Sequence, residues 1–334
     1  MSVLQKAVSE RTLIGRLLSK QEAAVRRAFQ TFLVDTRSNA TLHQVRQLLE
    51  LGRVDAALEI VDQHVVRMAN VIPRIVTEAG NASIDDLGVR FGRQLTGGRV
   101  AAVFEPGNER AAEIMGRSRL AFIRDFTREQ RAATRRALSA TLRAGDGPRV
   151  ATRRFRDSIG LTRHQLAVVD NYRALLERQS PEALNRSLRD RRFDRALGEA
   201  VEEGGEPLER AQIDRMVSRY QDRMLNLRAE TIARTEAHRA LGAARNESIR
   251  QMLEQTGIDP EYVQQVWNAT QDARTRDTHF AMDGQRRPLG RPFRSPSGAL
   301  LMYPGDPKAP PEESINCRCV LSTIILTDDE LAAA

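Results

Sequence analysis

Between residues 207 and 255 nothing interrupts a helical pattern except Gly242, and any fold for this chain must be arranged along that run. At ~1.5 Å per residue it predicts a rod ~70 Å long. Pro207 stands where proline favours a first helical turn. Just before it comes the clearest linker of the chain, residues 202–206, rich in Glu and Gly. Ile213, Val217, Tyr220, Met224 and Leu227 recur at three- and four-residue intervals, the seam of a helix packed in a bundle or coiled coil. After Ile232 the apolar side turns to Ala233, Ala237, Ala240 and Ala244, small enough for a partner element to come close. Gly257 and Pro260 stop the run.

Upstream, apolar residues at helical spacing predict helices over 3–34, 42–51 and 56–78, the last ended by Asn81, Ala82 and Ser83. Breakers at Gly97, Gly98, Pro106 and Gly107 frame a short segment at 100–104. Helices over 108–126 and 128–143 are expected on either side of Thr127-x-x-Gln130, a capping-box spacing. Two more are expected over 150–159 and 162–177. The pattern divides into an N-terminal helical region, 1–104, and a central basic helical region, 105–204. The long helix with a terminal module follows at 205–325, then a tail, 326–334. No internal repeat is visible.

With 41% apolar residues the chain has material for packed cores. No apolar run approaches the ~18 residues of a membrane-spanning helix, so no membrane partner is expected. The first twenty residues lack the continuous apolar stretch of a secretory signal. All but Lys6, Lys20 and Lys308 of the 52 basic residues are arginine. Residues 90–163 hold 17 Arg against 7 Asp and Glu, a block that would attract phosphate backbones or an acidic protein surface. Arg124, Arg128, Arg131, Arg135, Arg153 and Arg154 are its candidate contacts. Arginine stems lying over apolar stripes account for the same pattern, and aromatics for base stacking are sparse there.

The rare residue types gather at the end of the chain: the single Trp267, both cysteines, and seven of the thirteen prolines. Residues 262–267 and 319–325 alternate and are rich in β-branched or aromatic side chains, predicting two antiparallel strands. A short helix over 275–282 and a Pro/Gly-rich loop lie between them, and Asp283-Gly284 signals a turn. So small a module needs an outside surface to build a core. It is expected to pack on the long helix around Trp267, with His279, Phe280 and Met282 on the buried side of the short helix. The fold expected is therefore mainly α, with a small α+β C-terminal module. Asp272, Arg274, Arg276, Asp283 and Arg318 read as an ion-pair and hydrogen-bond network. Arg234 and Glu236 of the long helix are expected to lock onto its Arg318/Asp272 side.

The run W-x-A-x-x-D-x-R-T-R-x-x-H-x-x-x-D-G-Q, followed by PF, YPGDP and NCRC, resembles the C-terminal signature of the phage Mu F-type head-morphogenesis, or minor head protein, family. Residues 232–240, I-A-R-T-E-x-x-R-A, are similar to that family's helix motif. The resemblance covers about 205–325, with a looser likeness at 158–177. It marks Arg234, Thr235, Glu236, Trp267, Asp272, Arg274, Arg276, His279, Asp283, Gly284, Asn316, Cys317, Arg318 and Cys319 as motif residues.

It implies a non-enzymatic protein of tailed-phage head assembly that docks on the portal vertex or inner capsid. Portal protein, major capsid or scaffold protein, and packaged DNA are the implied partners. The implied location is the virion, after assembly in the host cytoplasm. Relatives with cysteines at the positions of Arg276 and His279 and a histidine near Ser314 suggest a zinc constellation. Here Arg276 and Ser314 cannot serve, which leaves His279, Cys317 and Cys319, one short of the four donors of structural zinc. The expectation is a core without cofactor. A Cys/His or metal-dependent hydrolase and a DNA-binding protein are the alternative functions.

Overall fold

A computed structural model describes residues 3–98, 100–202 and 205–332, in backbone alone at 3–9, Thr96 and Leu142. Glu203 and Gly204 of the expected linker lie outside the described residues. In chain order the helices are α1 (Val3–Thr36), α2 (Asn39–Glu50), α3 (Val54–Met68), α4 (Val71–Phe91), α5 (Glu109–Arg143), α6 (Pro148–Ser158), α7 (Arg163–Glu177), α8 (Asp194–Val201) and α9 (Arg210–Thr256). The terminal module follows as β1 (Val263–Asn268), α10 (Asp277–Phe280), β2 (Arg286–Pro288), β3 (Phe293–Arg294), β4 (Leu300–Leu301), α11 (Pro311–Ser314), β5 (Val320–Ile325) and α12 (Asp328–Ala332). The class is the expected one, mainly α with a small α+β module. No described helix is long and apolar enough to cross a membrane.

Contacts gather these elements into two compact units, Met1–Ala28 with Ala69–Phe122 and Thr231–Ala334, and Phe29–Met68 with Ile123–Glu230. This grouping cuts across the consecutive regions 1–104, 105–204 and 205–325, because α1, α5 and α9 each contribute a stretch to both units.

Three helix boundaries differ from the sequence reading, each for a local reason. The run read as one helix over 56–78 breaks after Met68. Pro73 has no N–H to give the carbonyl four residues back, so α4 starts afresh with Pro73 in its first turn. The stop expected at Asn81–Ser83 is absent, since Ser83 is fully buried inside α4, which runs on to Phe91. Thr127-x-x-Gln130 caps nothing, and α5 is continuous through it. Gln130 is buried instead, donating to the Ser158 carbonyl at 3.1 Å and accepting from the Gly160 N–H at 2.7 Å. It satisfies the turn between α6 and α7, where Gly160 takes φ +82°. The capping box that does form belongs to α7, between Thr162 and Gln165.

The second unit packs Phe29, Phe32 and Phe126 edge to face or tilted, with centroids 5.2–6.1 Å apart. Arg228 lies over the Phe126 ring. Tyr172 and Tyr220 stack with centroids 4.3 Å apart.

In the first unit, α9 ends at Gly257, whose φ of +68° and N–H to the Leu253 carbonyl make a left-handed helix stop. The chain then enters β1, where alternation buries Val263, Gln265 and Trp267 on one face. β1 pairs antiparallel with β5, as the sequence suggested, in a register that sets Trp267 opposite Leu321. It also pairs with β2, giving a three-stranded order β2-β1-β5, while β3 and β4 form a separate two-stranded ribbon. β2 is three residues of Arg-Arg-Pro, which no strand pattern reveals. Ile84, Leu87, Phe91, Ile249, Met252, Val263 and Ile325 form one core. Trp267, Met282, Phe293, Leu301, Cys317 and Cys319 belong to a second, inside the module.

Candidate functional site

The loop after β1 is organised by carboxylates. Asp272 accepts the Arg274 N–H at 3.0 Å, the Thr275 hydroxyl at 3.2 Å, and two guanidinium N–H groups of Arg318, one of them at 2.5 Å. The Arg318 hydrogen bonds hold the Asp272 carboxyl well below the usual carboxylate range. Arg274 is exposed, 3.7 Å from Asp272. Asp283 accepts the Ala269 N–H at 2.8 Å, and Gly284, at φ +75°, donates to the Trp267 carbonyl. The turn read at Asp283-Gly284 thereby ties the end of α10 back to β1. Arg276, at the start of α10, donates to the Ile315 carbonyl at 2.5 Å.

α10 aims His279 inward and Phe280 outward. His279 is 1% exposed and Met282 fully buried, whereas Phe280 is 57% exposed, contrary to the buried position expected for it. The imidazole stands edge-on to Trp267, centroids 5.2 Å apart. Its Nδ1 lies 3.5 Å from the Sγ of Cys317 and 3.5 Å from the Sγ of Cys319. Both cysteines are free and buried. On the other side of the ring, Nε2 lies 2.9 Å from the Glu313 carboxylate. Glu313 is itself buried and accepts hydroxyls from Ser295 at 2.9 Å, Ser297 at 2.6 Å and Thr278 at 2.9 Å. Burial works to raise its pKa, but those three hydroxyls and the imidazole together hold it below the usual value.

The two thiols are coupled. A hydrogen bond from Cys319 lowers the Cys317 pKa, and the same contact, with burial, pushes Cys319 up. Glu313 is the residue that sequence reasoning missed. Its position in P-E-E-S carries no recognisable pattern, and the nearest signal is an acidic pair shortly before NCRC.

The module is fastened to α9 at Asn316, in the left-handed region at φ +59°. Its N–H donates to the Thr235 hydroxyl at 3.0 Å, and its side-chain oxygen accepts from Arg234 at 2.5 Å. Of the lock expected between Arg234/Glu236 and the Arg318/Asp272 side, the Arg234 contact forms at Asn316, two residues before Arg318. Glu236 is 2.9 Å from Arg239, three residues along its own helix. Next to it His238 is buried, and burial lowers its pKa to about 4, so it is neutral near pH 7. The cavity beside His238, Arg245, Gln265 and Cys319 measures about 20 Å³. That is room for about one water.

In the second unit the arginines read as nucleic-acid contacts mostly face acids. Arg131 pairs with Asp62, Arg135 with Asp55 at 2.9 Å, Arg124 and Arg128 with Asp125 at 3.1 and 3.5 Å, and Arg154 with Asp170 at 3.7 Å. Arg153 is exposed on α6 without an ion pair among the described residues.

Residues 191–322 match the family described as Phage Mu protein F like protein. Over 98 residues, 29% of this chain, the sequence is 33% identical to "Minor head protein GP7" of Bacillus phage SPP1, and over 101 residues, also 29%, it is 33% identical to "Uncharacterized protein YqbB" of Bacillus subtilis (strain 168). The matched stretches span about 30% of the length of these curated relatives. No solved structure matches the chain.

Proposed function

From the Mu F-like character of residues 191–322 we propose that this chain is a minor head protein of a tailed phage, acting without catalysis in head morphogenesis. It docks on the portal vertex or the inner capsid, through portal, scaffold or major capsid protein, and assists head assembly or genome delivery. Its place is then the virion, after assembly in the host cytoplasm. The observation that carries the reading is where the match falls. It contains the Thr235–Asn316 fastening, the Asp272–Arg318 pair and the whole Trp267 core, the features that give the module its form.

The closed state of His279, Cys317 and Cys319 favours a structural role, since a nucleophile at most 3% exposed meets no substrate. Direct contact with packaged DNA is the lesser reading, because Arg124, Arg128, Arg131, Arg135 and Arg154 already have carboxylate partners.

The test is a pull-down of the full chain against tailed-phage portal, scaffold and major capsid proteins. Retention of one of them that survives moderate salt supports head assembly. Failure to retain any, together with absence of the chain from purified heads, overturns it. A gain in random-sequence DNA binding that collapses with salt would instead favour the nucleic-acid reading.

A further inference from the structure

We propose that His279, Cys317 and Cys319 form a binding site for a thiophilic divalent cation, zinc by the chemistry of its donors, with Glu313 as the carboxylate behind the histidine. Nδ1 of His279 and the two sulfurs lie within 4.8 Å of one another. Tetrahedral zinc with bonds of about 2.05 Å to nitrogen and about 2.3 Å to sulfur sets an N–S edge of about 3.6 Å. Both N–S distances here are 3.5 Å.

Hydrogen bonding explains that equality poorly. A neutral imidazole nitrogen has one lone pair in the ring plane, which suits one thiol and leaves the second off its axis. Two sulfurs equidistant from Nδ1 are what a cation at the apex of that lone pair produces. The histidine is prepared for the role from its other side. Glu313, 2.9 Å from Nε2 and fixed by Ser295, Ser297 and Thr278, sets a carboxylate behind the ring while Nδ1 faces the two sulfurs. Trp267, edge-on to the imidazole, fixes the ring plane. Sulfur donors select against magnesium and calcium.

Loading balances in charge. Two S–H protons leave to solvent as two metal–sulfur bonds form, and the dithiolate neutralises the dication. The three protein donors leave the fourth tetrahedral position to a small ligand such as water. Metal content is read on the purified chain alone and does not depend on head assembly.

The full chain, purified reduced and without a polyhistidine tag, is assayed for metal by mass spectrometry and then exchanged with cobalt(II). The expected result is one metal per chain and a cobalt spectrum with thiolate charge-transfer and tetrahedral ligand-field bands. Cys317→Ser and Cys319→Ser should each abolish those bands. Glu313→Gln should retain the bands and weaken affinity about 10–100-fold. If the cysteine variants fail to fold, the cobalt titration of the unaltered chain and of Glu313→Gln still decides. Folded, reduced protein that shows no cobalt–thiolate absorption overturns the site, as does zinc bound equally well by Cys317→Ser and Cys319→Ser.

Discussion

Tyr303 packs its ring directly on Gly242: a Cβ at position 242 would lie 2.3 Å from Cδ2 of the ring. The single glycine of the long helical run is therefore the point where the Pro/Gly loop of the module meets α9. Burial pushes the Tyr303 phenol well above its ordinary pKa. Alanine at 233, 237, 240 and 244, each at most 2% exposed, continues the same close-approach face.

Gly242→Ala should lower stability by about 1–3 kcal/mol through overpacking. Gly116→Ala, on α5 with nothing within 4 Å of the added methyl, should raise it by about 0.5–1 kcal/mol. Urea denaturation of both variants checks the pair. Equal effects would mean that the Tyr303 contact does not exist in solution.

Arg245 and Glu10 form an ion pair at the core of the first unit, with side chains 6% and 1% exposed. Glu10 also faces Arg90 at 2.7 Å and accepts the Thr323 N–H at 3.1 Å. Removing one partner leaves a buried charge, so Glu10→Ala and Arg245→Met should each cost about 3–5 kcal/mol. The double variant should cost clearly less than the sum. A strictly additive double variant in denaturant titrations would deny the pairing.

Thr235→Val keeps the shape of the fastening but leaves the Asn316 N–H without an acceptor, a loss of about 1–3 kcal/mol. Asn316→Gly keeps the N–H and the left-handed backbone and forfeits only the Arg234 bond, so it should be milder. Limited proteolysis should cut the loop between β2 and α11 fastest in Thr235→Val, next in Asn316→Gly, and slowest in the parent chain. A reversed order would place the fastening elsewhere.

The stacked pair Tyr172–Tyr220 gives a pH dependence. Burial, and then the neighbouring phenol, pushes Tyr172 up to about 12, and burial raises Tyr220 as well. An unfolded tyrosine loses its proton near pH 10. The folded pKa is the higher one, so this contribution is intact below pH 10 and is lost as pH rises from 10 towards 12. Phenolate absorbance of the native protein should lag that of the urea-unfolded chain across this window. Coincident curves would contradict the burial.

The parts of the fold legible in the sequence were those governed by repeating burial. α9 announced itself through an unbroken period and its small-residue face, and β1 and β5 through alternation around Trp267. What stayed hidden depended on single residues serving distant partners. Gln130 has the spacing of a cap but satisfies Gly160 and Ser158 across a turn. Pro73 splits a run whose apolar pattern looks continuous. At the candidate site the donors His279, Cys317 and Cys319 were visible as residue types, because such residues are scarce in this chain. Glu313 was not, because its link to His279 lies in tertiary geometry alone. Arg234 is expected on the Arg318/Asp272 side of the module, and its partner there is Asn316, two residues before Arg318, whose left-handed backbone no sequence pattern announces.

The bond from the Thr323 N–H to Glu10 spans 313 residues. During synthesis Glu10 emerges long before Arg90, Arg245 and Thr323 can meet it. The early part of α1 thus exposes an acid whose last hydrogen-bond partner arrives only with β5. Closing so long a loop is slow, and contacts of this separation form late. The first unit is in this sense completed backwards: its earliest helix gains its final surroundings from the last strand of the sheet, and a ribosome-stalled or truncated chain would hold that helix unfinished.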